Sequence, residues 1–201
     1  MELFSLLGVK EDIPPNLPTP LGKPVRVTVY VDANLMFCKN TGHSCTGFLV
    51  MLNSTPIHWF CKLQATVESA TYGSEFMAAR IAVQHIIDIR ATLRYMGIPL
   101  DGPAWMFGDN QSVICSSTIP ASVLKKRHNA LSYHTVRAAI AAGYVKFRHV
   151  DGTENPADMF TKYLEPYKLA KITSPLLHWQ GDLPEWPPVV KKRKTKDTRG
   201  N

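Results

Sequence analysis

The sequence is sparing with cysteine and offers no paired metal-binding spacing. Cys38, Cys45, Cys61 and Cys115 are its four thiols, no CxxC occurs among them and no secretory leader precedes them. A reduced, intracellular setting is therefore expected in place of a disulfide framework. Cys38, His43 and Cys45 form C-x4-H-x-C, which lacks a fourth ligand and argues against zinc. No apolar run reaches the roughly 20 residues of a membrane span, so a soluble chain is expected. There is no internal repeat. Acids are in the minority, 16 against 23 Lys and Arg, for a net charge of +7. Much of that excess lies in the tail, Lys191, Lys192, Arg193, Lys194 and Lys196, so the body is only mildly basic and a polyanionic partner is expected. The tail reads as a targeting or nucleic-acid patch, or alternatively as a solubilising end. At 201 residues, one domain of about 130 to 150 residues with flanking segments fits the length.

What is present begins with Val25 to Asn34, VRVTVYVDAN. Val25, Val27, Val29 and Val31 alternate with Arg26, Thr28, Tyr30 and Asp32, a period of two that predicts a strand with one valine face. Asp32 shares the other face, and a buried acid is costly unless a cation or water meets it. Ahead of this strand, Pro14, Pro15, Pro18, Pro20 and Pro24 prevent helix and inner strand, so residues 1–24, after the apolar stretch Leu3 to Val9, read as an extended linker with further chain upstream. Two more strands, Ser44 to Leu52 and Ile57 to Lys62, are joined through Asn53-Ser54-Thr55-Pro56 and complete an antiparallel meander.

From Ser69 to Met96 the period lengthens. Ala79, Ala82, Ile86, Ile89, Leu93 and Met96 form the stripe of a long helix that Gly97 stops. Glu75, four residues before Ala79, continues the buried stripe. Next come a strand at Ala104 to Phe107, Gly108-Asp109, a helical Asn110 to Ser117 and a helix from Asn129 to Ala142 stopped by Gly143. Tyr144 to Val150 alternates as a fifth strand. Asn155-Pro156 starts a last helix, with Asp158 in its first turn, running through Phe160 to about Leu164. Beyond residue 174 the chain is rich in Pro and Trp and carries no element assignment. The order is β-β-β-α-β-α-α-β-α, an α/β domain.

Asp32, Glu75, Asp109 and Asp158 thus stand at element ends. Each has a plain reading: Asp158 complements a helix dipole, Asp109 caps a helix, Glu75 pairs with Arg80. Four acids on separate elements also match what hard divalent cations require, and two ions about 4 Å apart activate water and stabilise the leaving oxygen in phosphodiester cleavage.

The strings YVDAN (30–34), TGFLVML (46–52), IHWFCKLQATVESATYGSEFMA (57–78), GDNQS (108–112), KKRHNALSYHTVRAAIAAG (125–143) and ENPADMFTK (154–162) resemble the ribonuclease H domain at the C-terminal end of Ty1/copia-type retrotransposon polyproteins. The resemblance covers Val25 to Pro166. It implies the ribonuclease H-like fold, with a five-stranded mixed sheet in which the first three strands are antiparallel and the last two parallel, within an organisation of linker 1–24, domain 25–166 and extension 167–201. It places Asp32, Glu75, Asp109 and Asp158 at the family's metal-binding, catalytic positions. It further implies Mg²⁺, two ions with Mn²⁺ as a substitute, cutting the RNA strand of an RNA/DNA hybrid to leave 3′-hydroxyl and 5′-phosphate ends. Asn34, Ser74, Asn110, Gln111, Lys125, Lys126 and Arg127 become nucleic-acid contacts, the reverse transcriptase of the parent polyprotein a partner, and a cytoplasmic virus-like particle or the nucleus the place of action. His149 is the nearby candidate for an auxiliary role, although within a strand it reads more plainly as solvent-facing.

The chain departs from the family pattern in one acid, since Gly73 stands where the Ser-Ser-Thr-Glu-Ala-Glu-Tyr-like stretch has its first glutamate. YVDAN is not a reverse-transcriptase YxDD string, because Ala33 replaces the second aspartate. Two alternatives remain from the sequence: a module with this fold that holds nucleic acid without turnover, and an integrase-like DNA strand-transfer enzyme, against which GDNQS and ENPADMFTK argue.

Overall fold

Valine alternation at Val27, Val29 and Val31 buries one face of a strand almost completely, and this strand lies at the centre of the sheet in the computed structural model, which describes residues 10–124 and 126–177. The apolar Leu3 to Val9 stretch, Lys125 and the basic tail lie outside the described residues. The strands are β1 (Val27–Asn34), β2 (Cys45–Leu52), β3 (Thr55–Leu63), β4 (Ala104–Gly108) and β5 (Val145–His149), in the order β3-β2-β1-β4-β5. β1 pairs antiparallel with β2 and β2 with β3, whereas β1 runs parallel to β4 and β4 to β5. The parallel pairing demands crossovers, which helices supply. The expected five-stranded mixed sheet is the one observed.

α1 (Thr71–Tyr95) crosses the valine face. Phe76, Ala79, Ala82, Val83 and Ile86 are buried against Val29, Val31, Phe48 and Met106 in one core, each larger side chain contributing about 1.5–3 kcal/mol of transfer free energy. Gly97, at φ 72°, takes the left-handed conformation that ends the helix. The stripe differs from expectation at its end. Met96 is 67 % exposed, because it lies in the terminating turn, and Arg90 is buried where the stripe would call for an apolar residue. Arg90 is compensated from far away: Glu11 accepts from its Nε at 2.8 Å and its Nη2 at 2.7 Å, and from Arg94 Nη1 at 2.5 Å. The proline-rich stretch is thus extended but tied to the helix, with a further bond from Leu21 N to the Gly97 carbonyl.

α2 (Gln111–Thr118) and α3 (Ala130–Ala141) complete the layer over the core, a 3-10 turn at Arg127–Asn129 leading into α3. The other sheet face carries α4 (Asp158–Thr161) and α5 (Pro166–Thr173). The last helix is therefore shorter than expected, because Lys162 adopts extended backbone at φ −124° and ψ 146°. A separate helix then begins at Pro166, preceded by the extended Glu165 that a following proline favours. α4 lies close on β2 because Gly47 has no Cβ: one added there would stand 2.8 Å from Phe160 Cβ and 2.6 Å from Thr161 Cγ2.

Candidate metal centre

Parallel pairing of Tyr30 with Phe107 sets the ends of β1 and β4 level, so that Asp32 and Asp109, each two residues further on, emerge side by side. Glu75, in the second turn of α1, comes down on them from the helical layer. One carboxylate oxygen from each of Asp32, Glu75 and Asp109 lies within 4.8 Å of the others. They line a cleft of about 510 Å³ that also takes in Asn34, Thr71, Gln111 and Lys162.

Three converging acids repel, and two of them are nearly out of water: Asp32 is 1 % and Glu75 7 % exposed. Burial, then the charges of Asp32 and Asp109, hold the Glu75 carboxyl well above the usual carboxylate range. Burial also raises Asp32, against the opposing Thr161 hydrogen bond and Lys162 charge. Such a donor set, all hard oxygen, close and short of positive charge, fits a divalent cation such as Mg²⁺.

Asp158 is near but does not join the group of three. It is buried at the start of α4, with Lys162 Nζ 2.6 Å from its Oδ1 and Lys168 Nζ 3.4 Å from its Oδ2. Lys162 Nζ also lies 3.2 Å from Asp32 Oδ1, and the Thr161 hydroxyl donates to Asp32 Oδ2. Burial alone would lower the Lys162 ammonium, but the Asp158 hydrogen bond and the Asp32 charge hold it at about 12. Asn155 fastens the turn before α4 to β1, its Nδ2 donating to the Val31 carbonyl at 3.0 Å while its Oδ1 accepts from Ala157 N at 3.1 Å. Thr161 and Lys162 were not singled out from sequence; the one available signal was the four-residue spacing from Asp158 to Lys162 on a helix.

The remaining expected residues divide. Asn34 lines the cleft and donates to the Thr161 carbonyl at 2.8 Å. Gln111 lines it and is exposed. Asn110 also lines it, but its side chain caps α2, accepting from Ser112 N and Val113 N, which leaves Asp109 out of the capping role. Ser74 is turned inward, fully buried and donating to the Thr71 carbonyl at 2.9 Å. Arg127 is exposed and Lys126 half-buried at the 3-10 turn, which is moored beside the N-terminus of α1 by His128 Nε2 at 3.4 Å from Glu68 Oε2. His149 is exposed at the end of β5, its Nε2 3.1 Å from the Asp109 carbonyl oxygen. Glu75 does not pair with Arg80, whose Nη1 faces Met77 Sδ. Cys38, His43 and Cys45 do not gather: His43 Nδ1 faces the Gln64 carbonyl and Cys45 Sγ lies 3.8 Å from Cys61 Sγ.

The fold is the ribonuclease H-like fold. It superposes with a TM-score of 0.53 and 15 % identity on the N-terminal RNase H domain of rv2228c from Mycobacterium tuberculosis, over 75 % of this chain and 97 % of that one. LC11-RNase H1 in complex with RNA/DNA hybrid gives 0.52 at 13 % identity, over 67 % of this chain and 93 % of that one. The foamy viral protease-reverse transcriptase in complex with RNA/DNA hybrid gives 0.51 at 14 % identity, over 76 % of this chain and 22 % of that one. The homologues in sequence are retrovirus-related Pol polyproteins of Ty1/copia-type transposons. Those from transposon TNT 1-94 of Nicotiana tabacum and RE1 of Arabidopsis thaliana are 29 % and 27 % identical, over 66 % and 71 % of this chain. The chain spans about a tenth of the length of these relatives. No family model matches. Among the described residues, no helix is long and apolar enough to cross a membrane.

Proposed function

We propose that this chain is a ribonuclease H that hydrolyses the RNA strand of RNA/DNA hybrids during retrotransposon reverse transcription. The observation that carries the reading is the convergence of Asp32, Glu75 and Asp109, with one oxygen from each within 4.8 Å of the others, at the C-terminal ends of the parallel strands β1 and β4. Those three residues would hold Mg²⁺, or Mn²⁺ in its place, and Asp158 would be the fourth acid available to a second ion. Bound there, divalent cations supply the Lewis acidity that makes a water nucleophilic and stabilises the leaving 3′-oxygen.

The chain's own residues do the rest. Asn34 and Gln111, on the rim of the cleft, offer hydrogen bonds to the hybrid backbone and 2′-hydroxyls, which is how an A-like duplex is told from DNA. Arg127 and Lys126, at the turn beside α1, carry phosphate contacts, Lys125 next in sequence serves the same role, and His149 stands at Asp109 as an auxiliary group. Sequence preference is slight, since grip through the backbone carries little base information. The reverse transcriptase of the parent polyprotein works next to the domain, in a cytoplasmic particle or the nucleus.

The test incubates the chain with Mg²⁺ and a hybrid labelled on its RNA strand. Endonucleolytic products with 3′-hydroxyl ends are expected, reduced by at least about 100-fold in Asp109→Asn. Intact RNA, or cleavage untouched by that substitution, would overturn the reading. A second reading, a module that holds hybrid without turnover, draws support from Lys162 lying between Asp32 and Asp158; hybrid binding with no cleavage at any Mg²⁺ or Mn²⁺ concentration would favour it.

A further inference from the structure

The gap between Asp32 and Asp158 is bridged by one side chain. Lys162 Nζ is 2.6 Å from Asp158 Oδ1 and 3.2 Å from Asp32 Oδ1, contacts short enough for charge-assisted hydrogen bonds to both. We infer that the Asp32–Asp158 gap is a cation position which this chain fills with its own Lys162 ammonium, so that the free protein binds one divalent ion, at Asp32, Glu75 and Asp109, and takes a second only after that ammonium leaves. The inference rests on the ribonuclease H reading of the three-acid centre.

Three observations support it. The ammonium is placed by the fold and not by chance. Lys162 follows α4 directly, its N–H donates to the Asp158 carbonyl, and α4 is pressed onto β2 at Gly47. The other oxygens of the pair are also engaged, Asp32 Oδ2 by the Thr161 hydroxyl and Asp158 Oδ2 by Lys168 Nζ at 3.4 Å. Charge closes as well. Four carboxylates face two ammoniums, Lys162 and Lys168, so a single divalent ion at the three-acid group brings the cluster to neutrality, and a second would leave it positive. A second ion is therefore disfavoured while the Lys162 ammonium stays in the gap, and a backbone phosphate of the hybrid is the anion that the reaction itself brings to draw that ammonium out. Lys162 lines the cleft and is about one-third exposed, so its ammonium has a route outward onto that phosphate.

The test is calorimetric titration of the full chain with MnCl₂ in the absence of nucleic acid, which reads stoichiometry and not catalysis. Wild type is expected to bind one ion and Lys162→Met two, the second at least about tenfold tighter than any weak second event in wild type. Asp158→Asn is expected to leave the first ion's affinity within about twofold, because Asp158 stands outside the three-acid group. Two tight ions in wild type, an unchanged stoichiometry in folded Lys162→Met, or a large loss of the first ion in Asp158→Asn would each overturn the inference. Should Lys162→Met fail to melt cooperatively, Lys162→Gln replaces it, and the wild-type and Asp158→Asn titrations decide on their own. No ion bound by wild type, with Asp109→Asn indistinguishable from it, would overturn the metal centre and so the functional reading, whereas two ions in wild type overturns only the role given to Lys162.

Discussion

The Glu68 carboxylate of this protein fills the space that a Cβ on Gly73 would take. The two residues are coupled through an absence: an acid from the preceding loop, 6 % exposed, sits at the first turn of α1 because residue 73 has no side chain. Its position also sets that of His128, 3.4 Å away, and hence of the basic turn.

Gly73→Ala should therefore be destabilising by about 1–2 kcal/mol, although alanine in place of glycine ordinarily favours a helix by about 1 kcal/mol. The displaced Glu68 loses its place beside His128, and Asn129 Nδ2, 3.1 Å from the new Cβ, leaves it no room. Urea denaturation measures the loss. On a Glu68→Ser background the same substitution should become neutral or stabilising, and an additive pair of effects would refute the coupling.

Glu11 gives the pH dependence. Burial would raise its carboxyl, but hydrogen bonds from Arg94 and Arg90 win and lower it from 4.5 to about 2. A carboxyl depressed in the folded state stabilises it above the unfolded value, and that contribution is lost as pH falls through the folded one. Stability on the order of 3 kcal/mol should thus disappear between about pH 4.5 and pH 2. In Glu11→Ala it should already be missing at neutral pH, where Arg90, 2 % exposed, is left buried and unpaired. Thermal melts of both proteins across that window provide the check.

Without divalent ions, the acids of the centre oppose folding. Glu75 is held high by burial and by the charges of Asp32 and Asp109. Removing one charge relieves this, so Asp109→Asn should melt several degrees above wild type in EDTA, about 1 kcal/mol. Added Mg²⁺ should raise wild type and leave the variant nearly unmoved. Because Glu75 is raised, ion binding should also release protons and tighten as pH rises, which titration in buffers of different ionisation enthalpy would detect.

Gly47→Ala should lower stability by roughly 2 kcal/mol or more, because the new methyl meets Phe160 Cβ and Thr161 Cγ2, which are not the ends of flexible side chains. α4 must lift, and the Thr161 hydrogen bond to Asp32 with it. Hybrid cleavage should fall about tenfold or more at a temperature where the variant is still folded.

The sheet and the long helix were legible because their signals are local. Val27, Val29 and Val31 declare a strand by alternation, and Glu75 stands on the apolar stripe that reaches Leu93. The three-acid group was legible for the same reason, each acid ending or opening an element whose period could be read. What escaped depends on partners distant in sequence. Arg90 looks like an interruption of the stripe until Glu11, 79 residues away, is seen beside it. Thr161 and Lys162 are unremarkable until α4 folds over Asp32, 129 residues from Thr161. Ser74 and Asn110 lie in the strings that carry the family resemblance, yet one is turned into the protein and the other spends its side chain on a helix cap. α5 carried too little pattern of its own and has no buried residue.

The mooring of Glu11 to Arg90 and Arg94 fixes the proline-rich stretch at the far end of α1. From Glu75 to Arg90 the helix rises about 22 Å. The helix thus stands as a spacer between this mooring and the carboxylates.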